Sequence, residues 1–375
     1  MDALILSCGT GGGHNSAGFA VEEELLRRGH NVTSLNPFTL AEGSLSTVID
    51  NTYITIAKNF PRLFGLIYCL GEGVSRLPIH SPVYLLNGRM SDCMEQYLSE
   101  HHFDAVIMSH LFPAEILTNM KNRGIELPKT IFISTDYTCI PFTEEIDCDA
   151  YVIPSDDLAG EYIHRGIPAE RIYPLGIPVK SAFSRDEDRT SIRARLGLDP
   201  DRRYILITGG SMGAGKLDLV VEMLDRHYKG QNVTLIVVCG SNHRLYEKMN
   251  AEYGEQHIVL EKTSQMADYM AACDLFITKP GGLSSTEAAV SGTPVIHITP
   301  IPGCESHNMR FFEAHGMSVA VPSPRRQLIH ACDLLEDASA RDTMTENQHR
   351  VIHSVASRDI CDLIESITES ASSIA

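Results

Sequence analysis

The segment ALILSCGTGGGHNSAGFAVEEELLRRG, residues Ala3 to Gly29, decides the fold class. It opens on a short apolar run, turns through glycines, and continues with helical spacing as far as Gly29, which reads as strand, loop and helix. The alternation recurs in apolar runs at Ala105 to Met108, Thr130 to Ser134 and Tyr151 to Ile153, separated by stretches long enough for a crossover. A parallel sheet covered by helices follows. Pro174, Gly176 and Pro178 then interrupt regular structure, and a second series begins. It runs Tyr204 to Thr208, a glycine loop, a helix to about Tyr228, Thr234 to Cys239, a helix from about His243, Ile258 to Glu261, Leu275 to Thr278 and Val295 to Ile298. The reading is two α/β domains, residues 1–176 and 177–355, with 356–375 a closing helix expected to return to the first domain. Open α/β sheets bind ligands outside the carboxyl ends of their strands, so function is sought in the strand-end loops lining a cleft.

Composition narrows the function. The 375 residues are 43% hydrophobic and 21% charged, as packed cores require and disordered or coiled-coil chains are not. A formal charge of −17 disfavours general adhesion to nucleic acid. Ten scattered cysteines without a CxxC pair, the absence of a cationic signal-like start, and the lack of any run approaching ~18 apolar residues point to a reduced, cytoplasmic protein that does not span a membrane.

Three loops carry chemistry. In GTGGGH, Gly9 to His14, the amides near Gly12 and Gly13 and the following helix suit an anion or polar ligand. His14, at the end of that loop with its side chain free to face the cleft, suits general-base work, or is a core histidine. The loop fits GxGxxG poorly and Val32 to Leu35 is followed by Asn36 rather than a ribose-reading acid, which disfavours a nicotinamide enzyme. In ITGGSMGAGKLD, Gly210, Gly215 and Lys216 match the spacing of a triphosphate loop, but Leu217 stands where a hydroxyl would hold magnesium. What remains is a glycine-rich diphosphate cradle without an obligatory metal, or a tight turn. In KPGGLSSTEA, Pro280, Gly281 and Gly282 form a strand-end turn, Ser284 or Ser285 is expected to cap the next helix, and Glu287 falls in its first turn, as a capping acid or as the acceptor for a ribose diol.

These motifs, with STDY at Ser134 to Tyr137, GGSMG at Gly209 to Gly213 and PIPGCESHN ending at Asn308, resemble glycosyltransferase family 28, in its branch of monogalactosyldiacylglycerol synthases and processive diacylglycerol glucosyltransferases. The resemblance spans nearly the whole chain. It implies a GT-B fold of two Rossmann-like domains facing across a cleft, the first on the acceptor and membrane side, the second binding the donor. It implies an inverting, metal-independent hexosyltransferase that moves glucose or galactose from a UDP-sugar to diacylglycerol or a glycosylated form of it, at the inner face of the cell membrane. No cofactor is implied. By the same carry-over, Gly209, Gly210, Ser211, Met212 and Gly213, with Gly281, Gly282, Leu283 and Ser284, stabilise the leaving diphosphate, with Lys279 nearby. Glu287 grips the ribose, Thr263 and Met266 line the uracil, and Cys304, Glu305 and Asn308 face the sugar. His14 is the candidate base, with Asp136 orienting it or serving as base itself. Two departures stand out: Cys304 replaces a common glutamine, and the chain has no tryptophan after its TD pair.

Residues 51–91 are rich in apolar side chains and carry Lys58, Arg62, Arg76 and Arg89 against Glu72, a balance of +3 that suits docking on an anionic bilayer or an ordinary pair of buried helices. Two alternatives to the lipid acceptor are retained: a UDP-sugar transferase acting on a polyprenyl-linked sugar or small amphiphile, and a non-catalytic sensor of UDP-sugar.

Overall fold

The computed structural model describes residues 1–8, 12–40, 82–213, 216–334 and 336–372. The chain forms two compact units: Met1–Lys180 with Pro302–Cys304 and Val355–Ala375, and Ser181–Ile301 with Glu305–Ser354. The first contains strands β1 (Asp2–Leu6), β2 (Asn31–Leu35), β3 (Ala105–Met108), β4 (Lys129–Ile133), β5 (Ala150–Val152) and β6 (Ile172–Tyr173), paired in the order β2-β1-β3-β4-β5-β6. The second contains β7 (Arg203–Thr208), β8 (Val233–Val238), β9 (Ile258–Leu260), β10 (Leu275–Thr278), β11 (Val295–Ile298) and β12 (Val319–Val321), in the order β12-β11-β10-β7-β8-β9.

Among the described residues every strand pairing is parallel. Central strands such as β3 and β8 are buried along their whole length, which explains their uninterrupted apolar runs: helices cover both faces. The edge strand β2 alternates less apolar residues and is half-exposed. The short edge strands β6 and β12 were not expected, since two or three residues carry too little periodicity to read. Of the expected bilayer-facing segment, residues 51–81 lie outside the described residues, and the helix Pro82–Glu100 begins within its last part. Among the described residues no helix is long and apolar enough to cross a membrane.

Each sheet reverses direction once. In the first, the chain leaves β1 for β2 on one side and β3 on the other; in the second, β7 is flanked by β8 and β10. The crevices outside the carboxyl ends of β1/β3 and β7/β10 are therefore the topological switch points, where such sheets take ligands. Both glycine loops follow a strand at its own switch point. The strand ends are level, because Leu6 pairs with Met108 and Thr208 with Thr278.

The helix Ala356–Ser372 belongs to the first unit. Ala356, Ile360, Cys361 and Ile364, spaced along one helical face, enter the core formed by β1, β3, β4 and β5 beside Val21 and Leu25 of the helix Gly12–Arg27. Each fully buried isoleucine there contributes roughly 1.5–3 kcal/mol. Polar contacts align the two helices: Arg28 Nη1 lies 2.6 Å from Asp362 and 2.9 Å from Glu365, while Arg28 Nε donates to Glu24 at 2.8 Å.

The glycine loop after β7 is held by close backbone approach. Gly213 N donates to Gly210 O at 2.9 Å, and Ser241 N donates to Ser211 O at 2.9 Å. Gly213 has φ +57, and a Cβ there would lie 2.1 Å from the carbonyl oxygen of Cys239. Gly210 has φ +74, and its Cβ would meet only the flexible Lys279 stem, 2.8 Å from Cε. Gly213→Ala must move backbone and should cost more than about 3 kcal/mol, whereas Gly210→Ala should cost about 1–2 kcal/mol. Denaturant unfolding of the two variants checks this, and equal small losses would refute close approach as the cause of the loop's shape.

A second expectation concerns acid. The hydrogen bond from Arg27, joined by Arg28, holds the Glu24 carboxyl at about 2, below its ordinary 4.5. A depressed carboxylate stabilises the fold fully above its unfolded value and loses that contribution as the pH falls through the folded one. Glu24→Gln should therefore melt below wild type above pH 4.5, with the gap closing as the pH falls toward 2. A gap independent of pH in thermal melts would show that the Glu24 ion pairs do not contribute.

Candidate active site

In the first unit, His14 lies in the opening turn of the helix Gly12–Arg27, so Gly12, Gly13 and His14 are helical and the loop is shorter than the sequence suggested; residues 9–11 are outside the described residues. The His14 side chain is not free. Its Nδ1 is 2.6 Å from Thr135 Oγ1, its ring meets that of His110 edge-on at 4.8 Å, and its carbonyl accepts from Ser109 Oγ at 2.7 Å. Burial lowers the His14 pKa from 6.5, an effect partly opposed by the charge of Asp136, so the ring is neutral near pH 7. His110 caps the helix Leu111–Asn122 by accepting from Phe112 N at its Nδ1, 3.2 Å away, and burial holds it well below the ordinary value.

The loop that carries Thr135 and Asp136 is braced from behind. Tyr162 Oη donates to Ser134 Oγ at 2.6 Å, and Glu161 accepts from Thr138 Oγ1 at 3.0 Å and Cys139 N at 2.8 Å. Asp136 is half-buried and acts on His14 through its charge, while the group engaging Nδ1 is its neighbour Thr135. Thr135 and His110 escaped the sequence reading, although both follow strand ends at the switch point, the rule that pointed to His14 and Asp136.

In the second unit, Gly209 and Lys279 follow the paired Thr208 and Thr278, so the GGSMG and KPGG loops leave the sheet side by side. Within GGSMG, Gly209 and Gly213 are buried, Gly210 and Met212 half-buried and Ser211 exposed. The helix after KPGG begins at Gly282 with Gly281 as its N-cap and no side-chain cap. This corrects the expected capping. Ser284 and Ser285 lie inside the helix, and Glu287 lies beyond its first turn, because the two glycines let the helix start early. Leu283 is buried, and Ser285 is fully buried with Oγ 2.9 Å from His297 Nε2. Ser284 and Glu287, one turn apart, stay half-exposed on the same face. His297 is a neutral core residue, pushed down to about 3 by burial.

Two of the residues expected to face the sugar, Glu305 and Asn308, are drawn onto the KPGG turn. Lys279 Nζ pairs with Glu305 Oε1, and Glu305 Oε2 accepts from Ile301 N at 2.8 Å. Asn308 is fully buried and donates from Nδ2 to Pro280 O at 3.0 Å, so it braces the turn. Cys304 is half-buried at the start of the helix Cys304–Ala314. Thr263 Oγ1 accepts from Gln265 N at 3.0 Å, and Met266 opens the helix Met266–Ala272, so these two sit where β9 hands over to the next helix. Among the described residues no group of three or more His, Cys, Asp or Glu side chains is placed to hold a metal ion.

Residues 14–179 match the monogalactosyldiacylglycerol (MGDG) synthase family model, and residues 204–349 match the glycosyltransferase family 28 C-terminal domain. The processive diacylglycerol β-glucosyltransferase of Bacillus subtilis (strain 168) is 27% identical over 351 residues, covering 92% of this chain and 89% of the relative. That of Staphylococcus epidermidis (strain ATCC 35984) is 23% identical, covering 98% and 93%. Among solved structures, Acinetobacter baumannii MurG superposes with a TM-score of 0.63 at 16% identity, covering 97% of this chain and 99% of its own. Anabaena HepE, crystallised with UDP-glucose, gives 0.54 at 16% identity over the full length of both chains. At such identities the structures speak for the fold alone, which is GT-B. With an MGDG-synthase-type first part and the C-terminal domain of family 28 following it in order, the chain belongs to glycosyltransferase family 28 and is a hexosyltransferase.

Proposed function

We propose that this hexosyltransferase moves a neutral hexose, glucose ahead of galactose, from a UDP-sugar to a lipid hydroxyl, with diacylglycerol or a glycosyl-diacylglycerol as acceptor and inversion at the anomeric carbon. The observation that carries the reading is the setting of His14. Burial keeps its ring neutral, and in the tautomer whose Nδ1–H donates to Thr135 Oγ1, Nε2 is left to take a proton. In the proposed step that proton comes from the acceptor hydroxyl as its oxygen attacks the anomeric carbon, and the bond from that carbon to the diphosphate oxygen breaks in line. The departing diphosphate gains negative charge, which the backbone amides of the GGSMG loop and the amino end of the helix Gly282–Val290 would meet.

The same reading gives Glu287 the ribose, Thr263 and Met266 the uracil, and Glu305 the hexose hydroxyls. Asp136 is assigned to tuning His14. The names of the relatives support a diacylglycerol acceptor, and the HepE complex supports a UDP-sugar donor. Residues 51–91, at +3 in a chain of −17, are proposed to dock the enzyme on the cytoplasmic face of an anionic bilayer.

Incubation with a panel of UDP-sugars and a lipid extract, with mass analysis of the products, tests the activity; a glycosylated non-lipid product, or UDP-sugar binding without transfer, would overturn it. His14→Ala should leave UDP affinity nearly intact and slow transfer by about a hundredfold or more. The acid limb of the kcat/KM profile should lie below 6.5, because His14 must be neutral and burial lowers its pKa. Asp136→Asn removes a charge that raises that pKa, so it should move the limb lower still while retaining substantial turnover. A loss as deep as that of His14→Ala would instead make Asp136 the base.

A further inference from the structure

Lys279 touches two parts of the donor site at once. Its backbone follows Thr278, the register partner of Thr208, so the side chain leaves the sheet beside Gly209 and Gly210. Its stem crosses the face of Gly210 where a side chain would otherwise stand, with Cε 2.8 Å and Nζ 3.7 Å from an ideal Cβ position. Its ammonium ends on Glu305 Oε1, and the other oxygen of that carboxylate is held by Ile301 N at 2.8 Å. The side chains of Lys279 and Glu305 are only 18% and 9% exposed, so solvent screens the pair weakly.

We propose that Lys279 is a positioning residue that couples diphosphate recognition to sugar recognition, one ammonium being shared between the anion of the glycine loop and the Glu305 carboxylate. The inference rests on the donor-site reading above. While Glu305 holds the ammonium, the pair presents little net charge to the glycine loop. Hexose hydroxyls that donate to Glu305 compete for its lone pairs and loosen its grip on the ammonium, shifting positive charge toward the diphosphate. A donor carrying its sugar thus strengthens the cation that meets the leaving group, and a sugar that fails to engage Glu305 does not.

The consequence is opposite to ordinary loss of a site residue. Glu305→Gln keeps the shape and the acceptor for Ile301 N but removes the charge that restrains Lys279, so UDP alone should bind about 5- to 10-fold tighter than to wild type. UDP-glucose should gain less, because its hydroxyls lose their carboxylate. Lys279→Met should weaken UDP about tenfold, and in that background Glu305→Gln should tighten it by less than it does in wild type. Calorimetric titration of the full chain with UDP and with UDP-glucose, on wild type, both single variants and the double variant, reads all four terms. If wild type binds neither ligand, the donor assignment falls and the coupling with it. If wild type binds UDP and a folded Glu305→Gln binds it no tighter, the coupling alone is overturned. Should Glu305→Gln fail to fold, Lys279→Met decides: the coupling requires it to weaken UDP and to change the ratio of UDP-glucose to UDP affinity, and an unchanged ratio overturns it.

Discussion

The in-register parallel pairing of β7 with β10 is the constraint on which the second unit's site depends. Because Thr208 and Thr278 are level, two loops that are 70 positions apart in the chain leave the sheet as neighbours. The glycine loop then lies beside the Lys279 stem, and the KPGG turn lies where Asn308 and Glu305 reach it. A slip of register would separate these groups and turn alternate side chains to the opposite face. Continuous burial of the central strands on both faces is what holds the sheet in place.

The first unit solves the same problem with a different chemical result. Its switch point gathers His14, Ser109, His110, Thr135 and Asp136 from three strand ends, again because β1, β3 and β4 are paired in register. Where the second unit offers backbone amides, glycines and an ion pair, the first offers neutral imidazoles in a setting that excludes much of the solvent. Desolvation lowers both histidines, and the nearby Asp136 limits the fall for His14. The result is an imidazole unprotonated near pH 7, as the proposed general base requires.

Several conspicuous groups are better explained by packing. His297 lies in the most motif-rich part of the chain, yet it is fully buried against Ser285 and Phe312 and held neutral. Among the described residues seven cysteines are buried, and the thiols of Cys139, Cys148, Cys273, Cys332 and Cys361 are pushed up by burial, which makes these five inert hydrophobes rather than nucleophiles. Asn308 has a packing role as well, since its amide supports Pro280.

The sequence by itself determined the two α/β series, because uninterrupted apolar runs separated by helical spacing leave a chain few alternatives to covered parallel sheets. It also pointed to candidate loops for the chemistry, since strand-end loops rich in glycine and closed by His14, Lys279 or Glu287 are local patterns. Which partners those residues meet was decided only by tertiary structure. Thr135 rather than an acid engages His14 Nδ1, Glu305 answers Lys279, and Gly281 caps the helix that Ser284 and Ser285 were expected to open. Each of these depends on strand order and register, or on where a helix starts relative to its neighbours. Those are set by the burial of whole elements against one another, and a hydrogen bond between residues 121 positions apart leaves no periodicity in the chain to read.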